Sequence, residues 1–231
     1  MASDLVERLT AADLSGGVAV PGSADFDRRR RIWNAVVDRH PAAIVRPTTA
    51  DQVAAVVRAA AESGALLSVR CGGHSFPGHS TCDGGVVLEL SAMSSVSVDP
   101  ATGRCRVGGG ALLGDVDRAT VPHGLAVPTG VVSHTGTGGL ALGGGMGWLS
   151  RLHGLTVDSL VGVDIVTADG ALRHASAESE PELFWALRGG GGNFGVVVEF
   201  DFEARALGPV SAGKWMYPLA DMHAAMLGAA D

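Results

Sequence analysis

The stretch Arg70-Cys71-Gly72-Gly73-His74-Ser75-Phe76-Pro77-Gly78-His79 sets histidine, cysteine and serine among three glycines. Adjacent glycines such as Gly72 and Gly73 take positive φ at little cost, so successive backbone N–H groups can converge on one point. Such a nest binds an anion, and a diphosphate suits it, with the Ser75 hydroxyl as a further donor. His74 sits inside the turn. The same residues fit a tight turn carrying a surface histidine equally well, and their spacing does not separate the two.

Two other glycine strings resemble dinucleotide loops. Gly190-Gly191-Gly192-Asn193-Phe194-Gly195 fits G-x-G-x-x-G, and Gly136-Thr137-Gly138-Gly139-Leu140-Ala141 fits the looser form ending in alanine. A Rossmann unit needs a strand before the string and a helix after it, so that a pyrophosphate meets the helix N-terminus. The first string reads helix then strand, and no clear strand runs into the second. Cys71, Cys82 and Cys105 are odd in number and lack metal-ligand spacing, so no metal is expected. No Ser-His-Asp set can be assigned, and the catalytic residues stay unassigned.

The elements that must hold these loops follow from pattern. Residues 1–40 read as a polar, weakly patterned lead-in, helical or irregular. Residues 42–45 read as a strand. Thr49 with Gln52 makes a capping-box start, and Val53, Val56, Val57 and Ala60 follow at helical spacing until Gly64. Residues 66–70 and 86–90 are the next strands. Asp99-Pro100-Ala101-Thr102-Gly103 joins a hairpin of residues 96–98 and 105–107. A helix is expected over 111–120 and a strand over 125–127. Asp169-Gly170 turns a second hairpin of residues 161–167 and 171–174. A helix over 180–187 carries Trp185 inward. The last strand, 195–206, puts Val196, Val198, Phe200 and Phe202 on one face. Strand–helix–strand units mixed with hairpins predict an α+β fold in two lobes, the first ending near residue 98 and the second spanning 99–207.

Composition narrows the function. The 231 residues are 46% hydrophobic and 18% charged with net charge −7, which describes a folded chain without the positive face that nucleic acid requires. The basic run at residues 28–31 is expected to be solvated. No window approaches the roughly 20 apolar residues of a membrane span, and the N-terminus lacks signal-peptide order. The reading is a cytoplasmic protein without membrane or nucleic-acid partners. The 34 glycines cluster at 72–85, 108–114, 136–147 and 189–195 between apolar runs, as site-building loops do.

Four ordered segments resemble the FAD-linked oxidases of the vanillyl-alcohol oxidase (PCMH-type) superfamily, in the berberine-bridge-enzyme-like branch. They are Arg46-Pro47-Thr48 with its helix, residues 70–78, residues 128–151, and residues 183–197. The resemblance implies a two-lobed FAD-binding domain over 41–207 with FAD extended between the lobes, and a substrate domain that only starts at 208–231. It implies that Arg70, Gly72, Gly73, His74, Ser75 and Gly78 hold the pyrophosphate, with His74 bonded covalently to the flavin 8α carbon. Pro128, Gly130, Val131, Ser133, Thr135, Thr137, Gly138 and Gly139 would line the flavin or diphosphate. Gly143 and Gly145 would pass near the ribityl chain, and Gly192, Asn193, Gly195 and Val197 would complete the adenine side.

Two positions depart from the branch. Val132 stands where some members carry a second, cysteinyl link, so a single bond is expected. Leu140 stands where plant-type members carry a histidine, and His134 is not assumed to replace it. The implied activity is an oxidase. It would take a hydride from an alcohol, sugar or amine carbon onto flavin N5 and pass electrons to dioxygen, giving hydrogen peroxide. The alternative is a flavin-binding fragment or split-protein partner without its own catalysis, completed by a second chain that supplies the substrate domain. Tyr217 reads as packing at the start of the next domain, and Trp148 as core.

Overall fold

The computed structural model describes residues 2–11, 14–214 and 216–228, which form two lobes, each on its own sheet. The first lobe comprises α1 (Ala2–Ala11), β1 (Val18–Ala19), α2 (Phe26–Arg29), β2 (Ala43–Val45), α3 (Ala50–Ser63), β3 (Leu67–Arg70) and β4 (Val86–Glu89). Its strand order is β1-β2-β4-β3, with β2, β4 and β3 parallel and β1 antiparallel at the edge. A parallel sheet is covered on both faces, and the β2 and β4 residues alternate accordingly. Ala43, Val45, Val86 and Leu88 pack against α1 and α3, while Ile44 and Val87 meet Phe26 and Cys82. The α3 boundaries follow the expected chemistry. The Thr49 hydroxyl accepts from the Gln52 N–H, and Gly64 closes the helix in the left-handed region at φ +64°.

The second lobe begins with β5 (Val96–Asp99) and β6 (Arg104–Gly108), then α4 (Leu113–Thr120), β7 (Leu125–Ala126), α5 (Thr137–Leu142) and α6 (Ser150–His153). It continues through β8 (Leu160–Val166), β9 (Leu172–Ser176), α7 (Pro181–Leu187), β10 (Val196–Glu203) and β11 (Arg205–Ala206). Five strands run antiparallel in the order β5-β6-β10-β8-β9, and β11 pairs with β7. Because β5 pairs with β6, the chain has entered the second sheet by Val96, slightly before the expected crossing near residue 98. After β11 the chain leaves the sheets and ends its described part in α8 (Met222–Gly228), with Val210, Tyr217, Leu219 and Met226 exposed.

Several expectations need correction. Leu5 and Leu9 are buried against α3, so the lead-in contributes to the first core. Of the basic run, Arg28 and Arg31 are exposed as expected, but Arg29 and Arg30 are half-buried in ion pairs: Arg29 binds Glu89 and Asp25, and Arg30 binds Asp27 and Asp38. Trp185 points outward at 75% exposure because Phe184 and Leu187, three residues apart, take the buried side of α7. Trp148 is 85% exposed. The single apolar face expected of β10 is broken by a register shift between Val197 and Glu199. Val196 and Val198 therefore pack into the first-lobe core, while Val197, Phe200 and Phe202 pack into the second.

Candidate functional site

The loop after β3 is held from outside by residues 33–40. The Trp33 N–H donates to the Gly73 carbonyl at 3.1 Å, and Asn34 Nδ2 donates to the Phe76 carbonyl. Arg39 donates to the carbonyls of Gly78 and Thr81. Within the loop Gly73 adopts φ +69°, and the Ser75 hydroxyl accepts from the His79 N–H. The backbone N–H groups of Gly73, His74 and Ser75 have no partner among the described residues, which leaves three consecutive donors on the loop.

A second loop faces the first from the other lobe. Backbone bonds pin residues 133–137 to 111–114: Leu113 N–H to Thr135 O, Gly114 N–H to Ser133 O, and Thr137 N–H to Ala111 O. The two loops cross so closely that a Cβ on Gly72 would lie 2.3 Å from the Gly136 nitrogen. That crossing brings His74 Nε2 to 2.6 Å from His134 Nδ1, with Thr135 Oγ1 at 3.5 Å from His74 Nδ1. Trp33 stacks on the other side of the His74 ring, centroids 5.1 Å apart and planes 18° apart. Burial, and secondarily the neighbouring His134, push the His74 pKa down, so the imidazole is neutral at neutral pH.

Between the loops lies a cleft of about 790 Å³, within the range of cofactor sites. It is built to admit a ligand rather than a side chain. A Cβ on Gly139, Gly191 or Gly192 would meet nothing within 4 Å. Ser80 borders the cleft, and its hydroxyl is buried without a partner among the described residues. An extended diphosphate cofactor fits these features: consecutive backbone donors and bare backbone on one cleft.

Of the residues singled out in the sequence, the structure brings Gly72, Gly73, His74, Ser75, Thr135, Gly138, Gly139, Gly192, Asn193, Gly195 and Val197 onto the cleft. It does not bring Arg70, Gly78, Pro128, Gly130, Val131, Ser133, Thr137, Gly143 or Gly145 there. Arg70 is buried against Glu89, with Nη2 at 3.2 Å from Oε2, and supports the loop from behind. Gly78 turns toward Val37, Gly145 packs on Thr156, and Thr137 is buried with its hydroxyl unpartnered among the described residues. Gly136, Gly191 and His79, which stood in the glycine-rich strings but not among the expected cofactor contacts, also line the cleft, as do Gly109 and Ser80. Gly109 belongs to a glycine cluster that was visible in the sequence; Trp33 gave no signal.

Electrostatics around the cleft are local. Burial works to raise the Glu89 pKa, but the Arg70 and Arg29 guanidinium groups hold it below its ordinary value. The Cys71 thiol donates to the Ala111 carbonyl at 3.3 Å, and burial pushes its pKa up, so it stays protonated. All three cysteines are free. Among the described residues no group of three His, Cys, Asp or Glu side chains could hold a metal ion, and no helix is long and apolar enough to cross a membrane.

A family model described as an FAD binding domain matches residues 41–176. (R)-6-hydroxynicotine oxidase of Paenarthrobacter nicotinovorans is 42% identical over 194 residues, covering 84% of this chain and 42% of that protein. Glucooligosaccharide oxidase of Sarocladium strictum is 40% identical over 184 residues, covering 78% of this chain and 37% of that protein. Among solved structures, 6-hydroxy-D-nicotine oxidase from Arthrobacter nicotinovorans superposes with TM-score 0.82 at 41% identity, covering 84% of this chain and 43% of that one. The Acremonium strictum glucooligosaccharide oxidase, described as carrying 6-S-cysteinyl, 8α-N1-histidyl FAD, superposes with TM-score 0.81 at 37% identity, covering 87% of this chain and 42% of that one. A berberine-bridge-enzyme-like protein of Physcomitrella patens gives TM-score 0.81 at 31% identity, covering 89% and 45%. The chain thus spans less than half the length of these relatives. It belongs to the FAD-linked oxidoreductases of the vanillyl-alcohol oxidase (PCMH-type) superfamily, which include the berberine-bridge-enzyme-like proteins, and it comprises their FAD-binding half.

Proposed function

We propose that this chain is the cofactor-holding half of an FAD-dependent oxidase that oxidises an alcohol, sugar or amine carbon and reduces dioxygen to hydrogen peroxide. The observation that carries the reading is the crossing of two glycine loops, one from each lobe, with His74 on the cleft wall between them. The bound flavin supplies the hydride acceptor; the protein supplies its place and surroundings. Gly73, His74 and Ser75 would donate backbone N–H groups to the pyrophosphate. Gly138, Gly139, Gly192 and Asn193 would border the rest of the cofactor, where bare backbone allows close approach. His74 would carry a single covalent bond to the flavin 8α carbon. With Val132 at the place of the second link and Cys71 held as a thiol, no cysteinyl bond is expected.

The alternative, a flavin-binding piece that turns over nothing by itself, draws support from the cleft's contents. His74 and His79 are the titratable side chains other than Cys71 that line it, and neither has a carboxylate partner among the described residues. A base for substrate and the substrate pocket would come from another domain or chain. The three free cysteines support the cytoplasm as the compartment. Acid precipitation tests the covalent claim. Flavin should pellet with the wild-type chain and stay in the supernatant for His74→Ala; all flavin in the wild-type supernatant refutes the bond. Peroxide release with sugars, alcohols and amines should need the additional substrate domain. Fast, saturable turnover by this chain alone would refute the incompleteness and direct attention to His79, His134, His153 and Tyr217.

A further inference from the structure

We propose that His134 is a positioning residue for His74: it takes the hydrogen bond of His74 Nε2–H and leaves the Nδ1 lone pair turned into the cleft. The inference rests on the covalent reading above and assigns the group that prepares the histidine for it. Two ring nitrogens 2.6 Å apart must share one proton, because two N–H groups would collide and two lone pairs would repel. Either ring could donate. Only donation from His74 Nε2 leaves its Nδ1 unprotonated, and Nδ1 is the nitrogen near Thr135, a residue of the cleft wall. Trp33 stacked on the His74 face blocks rotation out of this arrangement. The His134 loop is itself fixed by its backbone bonds to residues 111–114, so its reach toward His74 does not depend on a mobile segment.

The chemistry agrees. A nitrogen that forms a bond to carbon must be neutral and hold a lone pair, and burial together with His134 keeps His74 uncharged. The titratable group facing it from the opposite loop is His134; the 33–40 segment presents the uncharged Trp33. In net terms, attachment removes one hydrogen from the 8α carbon and one from the imidazole, forms the C–N bond, and passes two electrons and two protons to dioxygen as hydrogen peroxide. The imidazole hydrogen leaves from Nε2, and His134 Nδ1 is the acceptor poised to take it.

The test compares the wild-type chain with His134→Ala and His134→Asn, since an Asn carbonyl can accept from Nε2 where alanine cannot. The first readout is ¹⁵N NMR of the histidine rings in flavin-free protein. His74 should sit in the Nε2–H form in the wild type, lose that preference and titrate at higher pH in His134→Ala, and recover the tautomer in His134→Asn. The second is the rate at which added FAD becomes acid-precipitable. It should fall about fivefold or more in His134→Ala, the factor one lost hydrogen bond supports, and recover in His134→Asn. His134 is exposed, so both variants should melt like the wild type. Unchanged His74 signals in His134→Ala, equal attachment rates, equal loss in both variants, or a flavinyl bond at Nε2 would each overturn the proposal. A wild-type chain that never attaches flavin would refute the covalent reading instead, and the NMR comparison would still decide the role of His134.

Discussion

Replacing Gly72 by alanine tests whether the loop crossing is what builds the site. Gly72 does not need positive φ, so the effect is steric. The added Cβ would lie 2.3 Å from Gly136 N, 2.8 Å from Gly136 Cα and 3.0 Å from His134 O, all backbone atoms that no rotamer change can move. To reach ordinary contact the loops must separate by about 1 Å, an overpacking strain of about 1–3 kcal/mol. For a chain of this size that corresponds to a melting temperature lower by about 2–12 °C. The same separation would stretch the 2.6 Å His74–His134 contact, so flavin attachment should also slow. Gly139→Ala is the control. It sits inside α5 with open space at its Cβ, so helix propensity should hold or slightly raise stability. Its methyl group would nevertheless border the cleft, so flavin retention should drop without a stability loss. Thermal unfolding of both flavin-free variants by circular dichroism measures the first effect, and acid-precipitable flavin the second. A Gly72→Ala chain melting within a degree of wild type, or a Gly139→Ala chain falling as far, would refute the steric reasoning.

Glu89→Gln should destabilise the chain by about 3 kcal/mol, because it leaves the buried Arg70 and the adjoining Arg29 without their shared carboxylate; the urea midpoint reads this. The folded-state pKa of Glu89 lies below its unfolded value, so its contribution is present above about pH 4.3 and is lost as pH falls through the folded value. Wild-type stability should therefore decline in that acidic window, and the Gln variant should lack this component of the decline. Thr49→Ala removes the hydroxyl that accepts from Gln52 N–H and should cost about 1 kcal/mol, or about 2–4 °C in melting temperature. His74→Ala should leave flavin binding reversible, with the colour released by acid.

What could be recognised in advance tracks how local the cause is. The α3 helix depends on Thr49, Gly64 and a 3.6-residue repeat within 16 residues, and all of it was legible. The hairpin turn at Asp169-Gly170 was legible too, since the Thr167–Ala171 backbone bond closes within five residues. The glycine clusters announced close backbone approach but not what approaches. Gly147 faces the Thr129 carbonyl and Gly145 faces Thr156, so their bareness serves chain crossing outside the cleft. Long-range partners carried no signal: Trp33 reaches His74 across 41 residues and His134 across 60. The bulge in β10 was hidden because a run of valine and phenylalanine keeps its period-two pattern whether or not the register shifts once.

That bulge explains why the cleft lies where it does. At its site the Gly109 N–H donates to the Val198 carbonyl at 2.7 Å, and a Cβ on Gly109 would fall 2.3 Å from the Val197 carbonyl. On either side, Gly108 runs against the Met93 carbonyl and Gly110 against that of Leu90, the segment leaving the first lobe. Three glycines in succession thus thread between β10 and the first-lobe exit with no side chain intervening. Val198 then turns into the first core while Phe200 turns into the second, and both cores share one strand. A floor made of backbone-to-backbone contacts between two packed cores has few ways to widen, since moving it would open both. The loops above it are held at discrete points, by hydrogen bonds to residues 33–39 and 111–114 and by ring contacts. A stiff floor would set the width available to the cofactor, and on the covalent reading proposed above the His74–His134 pair is where attachment would be controlled without disturbing the fold.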